Sequence, residues 1–540
     1  MQSFRLSERK KVMFTQEETA ETPNANHVVL ENAPTESRST LGYSDISIAE
    51  EEEKDIETGN ASPKHKESPV SEHTKQVQDE NTVWWDGDDD PENPMNWSEK
   101  KKWANIAVMA MITFLTPLAS SMFAPSVSQV MEEFHNSNQM LAAFVVSIYV
   151  LGLAFGPLVL APLSEVYGRW IIYFVCNTMY LVFTLACAVS TDLNMMIGFR
   201  FLAGIVGSAP LAIGGGTVAD LFPVHQRGRA LSFYTLGPIC GPAVGPVAGG
   251  FLAEAKGWRW VFWLLTILSG ATIIAQLLFM RETYAVTILA RKTKRLQKQT
   301  GNYQLRSRLD TGISPRLVLT RAIVRPTKMT LLSPINILLS VSSAFVYGMF
   351  YLLLTTFPLV FSETYGFSTG ISGLTYLGLG VGNIAGMITF TLTSDRYIKA
   401  RAAEGKLKPE DRLPLLIAAG PLMAAGLFWY GWSAQAHTHW IVPIIGSALF
   451  GFGSMSFFMP VMGYLVDAFT VYAASALAAN TVLRSIGGAL LPLAGRSMYK
   501  TLGFGWGNSL LGFVTVGFCP FLIMLYKFGE TVRVKYPIEL

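Results

Sequence analysis

The sequence predicts an all-α polytopic membrane protein with twelve transmembrane helices in two pseudo-symmetric halves of six. Three observations lead there. Half of the 540 residues are apolar and only 15% are charged, against about 25% in a soluble globular chain. Twelve apolar runs follow one another with short loops between them, each long enough, at about 20 residues, to cross a bilayer. The punctuation of the first six runs returns in the second six.

The net charge of +3 conceals a division. Residues 1–98 hold 22 Asp/Glu and 9 Lys/Arg, and the remaining 17 Asp/Glu and 33 Lys/Arg lie beyond them. An acidic leader therefore precedes a basic, apolar body, which excludes a nucleic-acid binder working through bulk positive charge. Residues 1–83 are polar and without apolar period, so they read as a disordered, acidic cytosolic tail. They do not open with a basic stretch and an apolar core, so no secretory leader is expected. Residues 84–102, WWDGDDDPENPMNWSEKKK, form a pre-membrane segment whose Trp and Lys suit the headgroup boundary. Cys176, Cys187, Cys240 and Cys519 all fall in apolar runs and are expected as buried thiols without a bridge.

The apolar runs lie at about 103–125, 139–161, 170–189, 195–221, 229–253, 260–280, 333–361, 369–393, 413–434, 439–466, 471–494 and 506–527. All are helix candidates, because a lipid-exposed span must satisfy its own backbone polar groups. Barrel strands would alternate, and these runs do not. Spans 1–6 make an N-terminal half, 103–281, and spans 7–12 a C-terminal half, 333–528. The polar, basic segment 282–332 joins them as a cytosolic loop, and 529–540 is a short C-terminal tail. If the N-terminus is cytosolic, the inner loops carry 21 Lys/Arg and the outer loops four, Lys256, Arg259, Arg496 and Lys500. That bias places both termini inside. The plasma membrane is the expected location, with the vacuolar membrane as the alternative.

The internal repeat supports the six-plus-six division. Span 2 closes with Gly156, eight residues, then Glu165; span 8 closes with Gly386, eight residues, then Asp395. Span 4 ends in VADLF with Asp220, and span 10 in LVDAF with Asp467. Two matches in register point to a duplicated transporter scaffold.

Three motifs carry a family resemblance. APLSEVYGRW at 161–170 resembles the loop between spans 2 and 3 of the major facilitator superfamily, Gly-x-Leu-x-Asp-Arg-x-Gly-Arg-Arg. Leu163, Glu165, Gly168 and Arg169 match or nearly match, whereas Ala161, Val166 and Trp170 depart from it. The resemblance implies an inner gate held by a carboxylate–Arg network, with Asp395 and Arg396 at the corresponding place in the second half. GPICGPAVGPVAGG at 237–250 resembles the span 5 signature of proton-coupled drug antiporters, through Gly237, Gly241, Pro242, Gly245, Pro246, Gly249 and Gly250. Glycine at four-residue spacing permits close helix approach and proline bends the span; this face is expected to let the two halves pack and rock. GFRFLAG in span 4 resembles an Arg-bearing motif of the same antiporters, with Arg200 and Gly204. The whole of 84–540 is similar to fungal twelve-span drug:proton antiporters of the multidrug and toxin-efflux type.

Enzyme chemistry has no footing. There is no GxxxxGK[ST] phosphate loop and no HExxH or CxxC metal spacing. Neither a cofactor nor a metal is expected, and the resemblance implies that the proton gradient drives the cycle. Every Asp or Glu beyond residue 98 lies in a loop or near a span end. A carrier of strong cations would want a carboxylate at mid-span, so a small lipophilic substrate, neutral or weakly anionic, is expected. Phe345, Tyr347, Phe350, Tyr351, Phe457 and Asn480 are candidate cavity residues. Candidates for proton coupling are Arg200, Asp220, Asp467 and a second intramembrane arginine, Arg484. The expected partners are the substrate, protons and the bilayer, with no nucleic acid, and the chain is expected to act as a monomer. The rival readings are a proton-coupled nutrient importer and a non-transporting sensor on the same scaffold.

Overall fold

The computed structural model describes residues 81–535, apart from Thr311 and 404–407; the expected tail up to residue 80 lies outside them. The first half contains α1 (Glu99–Met122), α2 (Val127–Glu133), α3 (Gln139–Tyr167), α4 (Arg169–Ala188), α5 (Leu193–Gly207), α6 (Ala209–Leu221), α7 (Val224–Lys256) and α8 (Arg259–Phe279). α9 (Ala285–Thr300) and α10 (Pro315–Leu332) follow. The second half contains α11 (Pro334–Tyr365), α12 (Thr369–Leu374), α13 (Tyr376–Ala403), α14 (Leu413–Gln435), α15 (Ile441–Phe469) and α16 (Ala473–Lys535). Span 4 is α5 plus α6, broken at Ser208 ahead of Pro210, which has no N–H to continue the ladder. Local chemistry sets the helix starts. The Asn138 side chain accepts from the Met140 and Leu141 N–H groups, Asp192 from Met195, and Ser333 from Asn336. Gly366, at φ 68°, closes α11 in the left-handed conformation.

Eleven described helices are long and apolar enough to cross a membrane. One of them, α16, has 63 residues and would reach about 95 Å if straight, far beyond a hydrocarbon core of about 30 Å. It is interrupted at Gly503, where φ is 74° and ψ 174°. Tyr499 and Phe504 pack edge-on across this break, and the Tyr499 hydroxyl donates to Asn508 Oδ1 at 3.0 Å. The segment is therefore spans 11 and 12, which gives the twelve spans expected. The final helix runs on to Lys535, past the residue 529 at which a tail was expected. With twelve spans, the basic loops all lie on one face, here the basic face, together with the start of α1 and the end of α16. The opposite side is the far face.

The stretch expected as a central loop, 282–332, is largely helical, and it grips the pre-membrane segment. Strands β1 (Thr82–Val83) and β2 (Arg306–Ser307) pair in parallel, so Thr82 and Val83, within the stretch read as tail, take part in the fold. Lys292 of α9 reaches Asp86 at 2.8 Å and Asp90 at 3.0 Å. Arg295 pairs with Glu92 at 2.8 Å, and the Arg308 guanidinium lies 4.8 Å from the Trp84 ring. Three acids of this segment, Asp86, Asp90 and Glu92, are thus paired with protein cations.

The repeat seen in the sequence is also a repeat of packing. In the first half, a Cβ added at Gly152 or Gly156 of α3 would strike the carbonyls of Phe201 and Ile205 in α5, and one at Gly204 would strike that of Tyr149. In the second half, Gly382 and Gly386 of α13 face the carbonyls of Ala448 and Phe452 in α15, and Gly451 faces that of Leu379. The α3 and α13 positions are 230 residues apart, as are Glu165 and Asp395; the α5 and α15 positions are 247 apart, as are Asp220 and Asp467. Each half has its own apolar core, one around Met109, Tyr149 and Phe262 and the other around Phe357, Tyr430 and Phe450.

Candidate functional site

The candidate gate lies on the basic face. Gly168, at φ 99°, turns the chain between α3 and α4, a conformation that side chains rarely adopt. Arg169, 8% exposed, then points back under the span ends. Its Nε lies 3.4 Å from Asp220 Oδ2 and its Nη1 donates to Ser164 Oγ at 2.6 Å. Thr283 Oγ1 donates to the same Asp220 oxygen at 3.4 Å, and the Tyr284 ring lies 4.6 Å from the guanidinium.

Sequence reasoning missed the carboxylate that completes this network. Glu282 accepts from the Arg169 N–H at 2.9 Å and the Trp170 N–H at 3.3 Å, capping α4, where a negative charge meets the positive end of the helix dipole. Its one signal was being the lone acid of RETY, directly after span 6. Glu165, expected as the gate carboxylate, is exposed and makes no ion pair. Glu165 stands in the last turn of α3, exposed, and the Arg169 guanidinium is taken up by Asp220 and Ser164. Leu163 packs against the first core.

The second half builds an equivalent pair from a residue not expected there. Arg412 Nε lies 2.5 Å from Asp467 Oδ2, matching Arg169 with Asp220. Arg396, expected in this role, is exposed, and the Asp395 side chain lies outside the described residues. Arg412 had read only as part of the basic-loop bias. Nearby, Glu410 and Asp411 are buried and pair with Arg533 and Arg401 at 3.4 and 3.2 Å.

The span 5 motif divides its contacts between its own half and the other. Gly237, Gly241, Gly245 and Gly249 press against Phe114, Pro117, Leu118, Ser121 and Met122 of α1, inside the same half. The face of α7 that meets the other half is Ala243, Pro246 and Gly250, one turn apart, against Gly380, Gly373 and Thr369. The glycine stripe lies on another side of α7 from these three. Pro242, like Pro238 and Pro246, sits within the helix.

The two intramembrane arginines are held by aromatic rings and by no carboxylate. Arg200 is 2% exposed. Its guanidinium lies 4.7 Å from the Phe123 ring, 5.5 Å from Tyr149 and 5.7 Å from Phe262, and Nη2 donates to the Val146 carbonyl at 3.4 Å. Twenty residues, about 30 Å of helix, separate it from Asp220, so the two coupling candidates of span 4 do not meet. Arg484 lies 5.0 Å from the Tyr347 ring and 5.8 Å from Phe458.

Around Arg484 the structure gathers Tyr347, Phe350 and Tyr351, with Phe458 and, behind it, Phe457. The cluster touches the other half: Tyr351 and Ser120 hydroxyls are 3.0 Å apart, and Val150 reaches Gly488. Two expected cavity residues are engaged elsewhere. Phe345 packs on Phe518 of span 12, and Asn480 donates to Ser340 and Ser343 of α11 at 3.4 and 3.1 Å. A cavity of about 330 Å³ opens toward the far face between the halves, lined among others by Ala142, Val146, Thr355, Glu363 and Arg496. Val146 and Thr355 lie one turn from Val150 and Tyr351, at the edge of the cluster. The four cysteines are free, and three are buried.

Two six-span halves, Arg–Asp pairs at equivalent span ends and an aromatic cluster at their interface define a duplicated transporter scaffold. Residues 109–492 match the model of the Major Facilitator Superfamily, and the chain belongs to that superfamily. It is 56% identical over 484 residues to "MFS-type transporter hepF" of Aspergillus oryzae, covering 88% of this chain and 99% of that one. It is 54% identical over 462 residues to "Efflux pump radE" of Floropilus chiversii, covering 85% and 86%. In fold it is similar to the xylose transporter XylE from E. coli, with a TM-score of 0.61 at 17% identity over 80% of this chain and 98% of that one. A POT family transporter superposes with a TM-score of 0.58 at 12% identity, over 79% and 96%. The protein is a multi-pass membrane transporter, not an enzyme.

Proposed function

We propose that this transporter exports small lipophilic organic molecules, drugs or fungal secondary metabolites, from the cytosol in exchange for protons. The observation that carries export is the 54% identity, over 85% of the chain, to a protein named as an efflux pump. In this reading the basic face is cytosolic, both termini lie there, and the plasma membrane is the site of action. The substrate sits at the interface of the halves against Tyr347, Phe350, Tyr351 and Phe458, whose rings suit flat apolar molecules. Alternating access rocks the halves about that site, and the Arg169–Asp220 and Arg412–Asp467 pairs hold the basic face shut in one phase. Asp220 carries the exchanged proton, with Arg200 as a coupling residue; Asp467 is the equivalent in the second half. The transporter works as a monomer, without a bound cofactor or metal.

Inside-out vesicles from a host lacking its own exporters test this with Nile red, a neutral lipophilic dye. Accumulation driven by an acid interior, and abolished by a protonophore, is the expected result. Accumulation indifferent to the protonophore overturns proton coupling, and dye uptake into intact cells overturns export. If Asp220→Asn and Arg200→Ala both leave gradient-driven export unchanged, the coupling assignment fails.

A further inference from the structure

We infer that Arg484 is an anion-recognition residue, so that the molecules carried include aromatic or otherwise lipophilic organic monoanions such as carboxylates. The inference rests on the export reading and narrows its substrate class. The group is a guanidinium, charged at every accessible pH, on the eleventh span and about three turns from its start. Its Nε is buried without a hydrogen-bond partner, and among the described residues no carboxylate lies within ion-pair distance of it. The Tyr347 and Phe458 rings lie beside the cation, and among the described residues no hydrogen bond from its N–H donors is formed. A buried charge without a counter-charge is costly, so structures that keep one supply an opposite charge from somewhere.

Arg200 shows the contrast. It too lacks a carboxylate, but it is sealed at 2% exposure inside one half, ringed by Phe123, Tyr149 and Phe262, and it donates to the Val146 carbonyl. Arg484 is only partly buried and stands where the halves meet, one turn before Gly488 and its contact with Val150. The far-face cavity ends one turn from this point. A flat molecule lying against Tyr347 and Phe458 would set an attached carboxylate in the plane of the guanidinium. Arginine binds that group through two parallel hydrogen bonds. The same positive centre would repel a cation of equal shape.

Binding to the full chain in lipid nanodiscs tests this with 2-naphthoate and its uncharged counterpart 2-naphthamide. The acid is expected to bind at least tenfold more tightly than the amide. Arg484→Gln is expected to remove that preference while leaving amide binding in place, and Arg484→Lys to keep part of it. Unchanged elution and thermal stability show that each variant folds. A preference for the acid that survives Arg484→Gln overturns the inference, as does equal binding of acid and amide or binding of neither. Export of Nile red separates the two readings. If it persists in wild type and in Arg484→Gln while the acid preference is absent, export stands and the anion site falls. If wild type binds 2-naphthoate through Arg484 yet exports nothing, the anion site stands and export falls.

Discussion

Asp220 has one guanidinium partner, Arg169, and one hydroxyl, Thr283, at the end of a span. Replacing it with Asn removes the negative charge that faces the Arg169 guanidinium. The expected loss is about 3 kcal/mol, the scale of orphaning a buried charge, measured by denaturant titration of the solubilised protein. Glu165→Gln, at an exposed unpaired position, is expected to stay within about 0.5 kcal/mol. The glycines give a second contrast. Gly152→Ala drives a Cβ into the Phe201 carbonyl and is expected to cost about 1–3 kcal/mol. Gly215→Ala, where nothing lies within 4 Å, is expected to be neutral or to stabilise by up to about 1 kcal/mol. The same assay reads both. Asp220, Asp467 and the span glycines were legible in the sequence because the duplication marked them twice. Glu282 and Arg412 were not, since a lone acid among many bases and one base among many carry no periodic signal.

Among the elements, the pre-membrane segment and α9 are the pair whose association depends on titratable groups outside the bilayer. Burial works against the Asp90 carboxylate. The N–H groups of Asp86 and Glu92 and the Lys292 ammonium outweigh it and hold the pKa below 3.8. Burial also opposes the Lys292 charge, and its bonds to Asp86 and Asp90 raise the pKa above 10.5 all the same. The Asp90 contribution is therefore complete above the ordinary carboxylate value and lost as pH falls through the lowered one. The Lys292 contribution is complete below the ordinary lysine value and lost as pH rises through the raised one. A nitroxide on Asp88→Cys, in a chain without the native cysteines, is expected to report an immobile segment throughout the range between. Lys292→Met is expected to free it at neutral pH; an unchanged spectrum would show that the β1–β2 pairing, the Arg295–Glu92 pair and the Trp84–Arg308 contact suffice without it.

Across the whole molecule, the halves touch through Ala243, Pro246 and Gly250 on one side and Tyr351–Ser120 and Val150–Gly488 near the centre. A cycle that rocks the halves must break some of these contacts. A Cβ built at Gly380 falls nearer the Ala243 Cβ than the roughly 3.5–4.5 Å of a disulfide, so Ala243→Cys with Gly380→Cys, without the native cysteines, is expected to cross-link in the phase of the cycle that eases this contact. The bridge is expected to reduce export at least tenfold, with recovery on reduction. Full export with the bridge intact would mean that this contact persists through the cycle and that the motion lies elsewhere.

The amino-acid sequence by itself determined twelve spans, two equivalent halves and the family, because these depend on hydrophobic length and on patterns that repeat along the chain. Tertiary structure alone decided what each motif faces. The span 5 glycines could serve any neighbour, and packing gave four of them to α1 and Gly250 to the other half. Glu165 was expected at the gate and Asp220 in proton coupling, and the fold set Asp220 beside Arg169. The central segment read as a loop because its polar residues cannot enter lipid, yet α9 forms against the acids of the pre-membrane segment, about 200 residues away in the chain. Such choices rest on distances between residues remote in sequence, which neither composition nor spacing contains.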